Sequence, residues 1–81
     1  MRTTISHYQI YDSGLAIDLI YETIKLLGRT THVVSETFED AFGERTETQA
    51  FDNFSEAGEY LDKKLDHYID GRGATVEDVT F

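Results

Sequence analysis

The segment G-L-A-I-D-L-I-Y-E-T-I-K-L-L-G, residues 14–28, is the clearest element in the chain. Ala16, Ile20, Ile24 and Leu27 recur at helical spacing. Gly28 stands where a glycine closes a helix, and Asp12-Ser13-Gly14 is a turn that can cap one. The pattern therefore predicts a helix over 14–27. On its wheel Ala16, Ile17, Ile20, Ile24 and Leu27 form one apolar face. Leu15, Leu19 and Leu26 form a second edge beside it, and only Asp18, Glu22 and Lys25 are polar. A helix lying on a sheet needs just the first face. The second edge fits burial between a sheet and a neighbouring helix. Alternatively, Leu15, Leu19 and Leu26, flanked by Tyr21, form a homodimer seam or partner-binding strip. A rival reading takes 15–25 as a strand, which gives a mostly antiparallel sheet with one C-terminal helix. Leu19-Ile20-Tyr21 does not alternate, and this counts against the rival.

Around that segment, TTISHYQIY (3–11) and TTHVVSETF (30–38) are rich in β-branched and aromatic residues and read as strands. EDAFGE reads as a loop turning at Gly43, and RTETQAF (45–51) as a further strand. Asp52, Asn53 and Ser55 offer caps for a helix over about 54–70. Ala57, Leu61, Leu65 and Tyr68 are its stripe and Gly71 its stop. ATVEDVTF (74–81) reads as a last strand, with a helical turn capped by Thr75 as the competitor. The order is β-α-β-β-α-β. The halves share a grammar: Tyr11-Asp12 and Phe51-Asp52 before each helix, Gly28-Arg29 and Gly71-Arg72 after it. The pattern resembles a ferredoxin-like α+β domain, which implies two helices on one face of a four-stranded antiparallel sheet. With 81 residues, one domain spanning 1–81 is expected.

Charge is distributed unevenly. Arg2, Lys25 and Arg29 balance Asp12, Asp18 and Glu22 in residues 1–35, so the whole net charge of −9 falls in residues 36–81. Such a chain repels nucleic acid and anionic lipid and attracts basic partners. On the wheel of the second helix Glu56, Glu59, Asp62, Asp66 and Asp70 fall opposite the apolar stripe, broken only by Lys63. Asp62–Asp66 and Asp66–Asp70 are like-charge i,i+4 pairs, and Asp70 lies at the wrong end of the helix dipole. The row is not placed to strengthen its own helix. From Glu59 to Asp70 it spans about 16 Å at ~1.5 Å per residue. One account is a solvated face. The sharper one is a surface that imitates nucleic-acid phosphates, extended by Glu39, Asp40, Glu44 and Glu47. That account requires Glu44 and Glu47 to share a surface with Glu59, Asp62 and Asp66. Phe38, Phe42, Phe51 and Phe54, interleaved with these acids, are expected to supply core contacts, with exposed anchors as the alternative for one or two of them.

Sites for chemistry are sparse. The chain has no Cys, which removes disulfides, thiolate zinc sites and thiol nucleophiles and favours a reducing compartment. His7, His32 and His67 fall in three elements without ligand spacing; a metal would need His7 and His32 brought together, or His67 with Asp66 or Asp70. Asp66 and His67, as helix neighbours, point about 100° apart. Gly71-Arg72-Gly73 is too short for a phosphate loop. No cofactor and no enzymatic activity are expected. No apolar run reaches membrane length and the opening MRTTISHYQIYD does not read as a signal peptide, so the expected place is the cytoplasm.

Taken together, the acidic tract 36–62 and the row through Asp66 and Asp70 resemble in character the small acidic inhibitors of phages and mobile elements, the anti-CRISPR and anti-restriction proteins. The resemblance implies a non-enzymatic inhibitor occupying the basic nucleic-acid-binding surface of a CRISPR effector or nuclease in the host cytoplasm. The alternative is a dimeric ferredoxin-like regulatory module whose acidic face only solubilises it.

Overall fold

In the computed structural model, which describes residues 1–80, the chain forms one antiparallel sheet and one α-helix. Strands β1 (Arg2–Asp12), β2 (Leu15–Leu26), β3 (Arg29–Asp40) and β4 (Gly43–Phe51) run as successive hairpins. Helix α1 (Phe54–Asp66) follows and continues into a π-helical turn, His67–Gly71. Strand β5 (Thr75–Asp78) then pairs with β1, giving the order β4-β3-β2-β1-β5. The chain after β4 thus crosses the sheet to its far edge. Phe81, at the end of the expected last strand, lies outside the described residues.

The expected β-α-β-β-α-β ferredoxin-like arrangement is therefore corrected. Residues 14–27 are not a helix; Leu15–Leu26 is a strand paired along its length with β1 and β3. The rival reading, an antiparallel sheet with one C-terminal helix, describes the molecule. The physical reason lies in the spacing. Steps of four residues are even, so Ala16, Ile20 and Ile24 lie on one face of a strand as readily as on one face of a helix. Ile17, Ile20, Tyr21, Thr23 and Ile24 favour the pleated conformation. The flanking pairs are hairpin turns, not helix ends. Ser13 and Gly14 have φ of 50° and 86°, and Leu27 and Gly28 have 53° and 75°. Positive φ at both central residues marks the two-residue turn whose twist matches the strands it joins.

The sheet has one covered face. Ile10, Ile17, Leu19, Tyr21 and Val34 meet Ala57 and Leu61 of α1 and Tyr68 of the π turn. Each large side chain buried there contributes about 1.5–3 kcal/mol. Asn53 is the cap in use: its side-chain oxygen accepts from the Glu56 N–H at 2.8 Å. On the opposite face Ala16, Ile20, Ile24 and Val33 remain half-buried among threonines and charged residues, with no element across them among the described residues. Both faces of β2 thus carry apolar residues, which is why its sequence does not alternate. The molecule extends 42 Å along its longest axis. A strand of 12 residues spans about that length, whereas a helix of 13 spans about half of it, so the β2–β3 hairpin projects past α1.

Candidate functional site

The outer side of α1 presents Glu56, Glu59, Asp62 and Asp66, and the π turn adds Asp70; all five are exposed. The apolar side of α1 fixes this direction: with Ala57 and Leu61 against the sheet, those positions must face water. Lys63 is the exposed cation among them. Elsewhere, Arg2 pairs with Glu22, Arg29 with Asp52, Arg45 with Glu47, Lys64 with Glu36 and Arg72 with Asp12. Five of the seven Lys and Arg side chains thus engage acids away from the row. Among the described residues, none of the five row carboxylates has a salt-bridge partner.

The remaining acids do not join this surface as one patch. Alternation along β4 sends Glu47 to the helix side, opposite Glu36 in register, and Glu44 to the bare side, opposite Glu39. Asp40 ends β3 and its carboxylate accepts from the Phe42 N–H at 2.8 Å, tightening the β3–β4 turn. Glu39 and Glu44 are therefore separated from Glu59, Asp62 and Asp66 by the thickness of the sheet. Glu47 shares their side.

Beneath α1 lies a second group of charges that charge counting does not separate from the first. Glu36 projects from β3 into the core and is 2% exposed. Tyr68 donates to its carboxylate at 2.8 Å and the Lys64 ammonium lies 3.1 Å away. Lys64 also sits 5.4 Å above the Tyr60 ring, which packs on Phe51. Burial pushes the Tyr68 hydroxyl well above the ordinary phenol range, and its hydrogen bond to anionic Glu36 adds to the rise. Burial works to lower the Lys64 ammonium, but Glu36 and then Tyr60 outweigh it and leave it raised. Both carboxylate oxygens of Glu36 are thus partnered. Its even-numbered position between Val34 and Phe38 is the sequence signal that it points inward.

The repeated Asp and Gly-Arg punctuation has a cross-linking role. Asp12, at the end of β1, pairs with Arg72 after the π turn, and Arg29, at the start of β3, pairs with Asp52 before α1. Each pair ties one half of the chain to the other. Hydrogen bonding to Asp12 raises the Arg72 guanidinium still further.

Sequence-predicted leucine and histidine sites are dispersed. Leu19 is 0% exposed in the core, Leu15 is half-buried on the same face, and Leu26 is exposed at the β2–β3 end, so they form no strip. His7 lies on the bare face, 2.9 Å from Asp18, while His32 lies on the helix side with Nδ1 2.7 Å from the Tyr21 hydroxyl. β2 stands between them. His67 is exposed in the π turn with its ring against Tyr68. No group of three or more His, Cys, Asp or Glu among the described residues could hold a metal ion. Phe38 and Phe51 pack against the core, but Phe54 is largely exposed and Phe42 is 97% exposed at the β3–β4 turn. No helix is long and apolar enough to cross a membrane. No family model, curated protein or solved structure matches the chain.

Proposed function

We propose that the protein is a non-catalytic binding protein that docks on a basic partner through the outer row of α1. The observation that supports this reading is the allocation of cations. Arg2, Arg29, Arg45, Lys64 and Arg72 engage acids elsewhere, while Glu56, Glu59, Asp62, Asp66 and Asp70 stand exposed without an ion-pair partner among the described residues. Unneutralised like charges along one helix face cost stability locally and steer a cationic surface toward it. The contact is narrower than the tract 36–62 suggests, because Glu39 and Glu44 point away from it. Glu47 can extend it on the helix side. A matching partner has a groove of Lys and Arg built for nucleic acid, such as that of a nuclease or CRISPR effector, and the cell interior is the compartment where it would be met.

The test is affinity capture from a host lysate at low and high salt, with bound proteins identified. The expected result is a basic nucleic-acid-binding protein retained at low salt and released at high salt. Retention of nothing basic would overturn the reading.

A further inference from the structure

We propose that β4 is the seam of a two-fold dimer, in which β4 of one copy pairs antiparallel with β4 of a second copy about Thr46. Strand β4 ends the sheet, and every residue from Gly43 to Ala50 is exposed. Its outer backbone N–H and C=O groups face away from β3. Proteins usually blunt such an edge with a bulge, a proline, charged side chains or a short strand. β4 has no bulge and no proline, is nine residues long and pairs with β3 from Phe51 to Gly43 without a register shift; its charges are of both signs, so they can pair with a second strand as well as repel one. The bulge in this sheet lies between Thr4 and Ser6 in β1, and the other edge, β5, has four residues.

Charge selects both the occupant and the register. Glu44, Arg45 and Glu47 are the charged residues of β4. Pairing about Thr46 sets Arg45 opposite Glu47 of the second copy, and the two-fold axis makes this contact twice on the helix side. Thr46 then faces its own copy on the bare side, and Glu44 faces Thr48. Pairing about Arg45 or about Glu47 would instead oppose like charges, which destabilises a ladder. Arg45 and Glu47 already lie 4.0 Å apart along the strand and both are largely exposed; the Arg45 guanidinium sits 4.8 Å over the Phe38 ring, and its long side chain can turn from there to the partner strand. An antiparallel edge contact keeps the faces of the two sheets continuous. The product is a ten-stranded sheet with both α1 helices on one side, which sets their acidic rows on a common surface. The dimer stands on the β4 edge and does not depend on what α1 binds.

The test combines sedimentation with cross-linking. The wild-type chain sediments as a dimer at high micromolar concentration. Glu47→Arg, which leaves the core untouched, shifts it to monomer, and the exchange R45E/E47R restores the dimer. The chain has no cysteine, so Thr46→Cys reports the seam cleanly: it cross-links under mild oxidation or with a short bismaleimide, and Thr48→Cys does so far less. A wild-type monomer overturns the proposal. So does a dimer that R45E/E47R fails to restore, or one that cross-links equally through both cysteines.

Discussion

Beneath α1 a carboxylate is sealed from water and fully partnered; along its outer side and the π turn five carboxylates stand in water with no salt-bridge partner among the described residues. Glu36 and Glu59 carry the same group, so the difference comes from placement alone. Glu36 has Lys64 and Tyr68 within hydrogen-bonding distance, both delivered by α1 and its π turn. It therefore fixes how the helix sits on the sheet. The outer row contributes nothing comparable, since each side chain is hydrated with or without the fold. Net charge is thus a poor guide to what an acid does in a chain this small. Five of the seven cations pair with acids elsewhere, which leaves the outer row without a salt-bridge partner among the described residues.

Glu36→Ala leaves the buried Tyr68 hydroxyl without its acceptor and the partly exposed Lys64 without its counter-charge, and should cost about 1–3 kcal/mol, read by urea unfolding. A loss below about 1 kcal/mol would put Glu36 in the same class as the row. Replacing both partners by apolar residues, Glu36→Leu with Lys64→Met, sharpens the point. That pair should recover most of the loss, because neither charge is left alone.

Alkaline pH gives the next effect. Tyr68 is raised above its ordinary value of 10.0, and Tyr21 is raised as well, by burial. The folded chain keeps these protons where the unfolded chain sheds them. Their stabilisation is complete below the ordinary value and is lost as pH climbs through the folded ones, at about 1.4 kcal/mol per pH unit for each group. Tyr68→Phe should remove its share of that slope. An unchanged slope would mean that Tyr68 ionises freely.

The smallest effect belongs outside. Asp66→Lys turns the repulsive i,i+4 pair with Asp62 into an attractive one and should alter stability by no more than about 0.5 kcal/mol, toward stabilisation. A loss of several kcal/mol would show that the row holds the fold together after all.

Much of the second half of the chain was legible in the sequence. The stripe Ala57, Leu61, Leu65 and Tyr68 uses steps of three and four, which only a helix places on one side, and Asn53 and Gly71 bound it. The segment 15–26 misled because the steps from Ala16 to Ile20 and from Ile20 to Ile24 are all fours, which suit helix and strand alike. Its β-branched content and the Ser13-Gly14 turn carried the missing information. Leu27 is an unusual turn residue: it takes a left-handed conformation that favours Gly or Asn and is 98% exposed, so a turn reading draws no support from it. The candidate surface was legible in part. The helix row follows from periodicity, whereas the separation of Glu44 from Glu47 requires the strand register, and the inward turn of Glu36 requires knowing which face of β3 the helix covers.

The most direct measurement compares the wild-type chain with E59K/D62K/D66K, matched for melting temperature, in capture of basic proteins from a host lysate at low salt. The account predicts equal folding, with capture by the wild type and none by the variant. Equal capture by both would contradict it, because the outer row of α1 would then be only a solvated face.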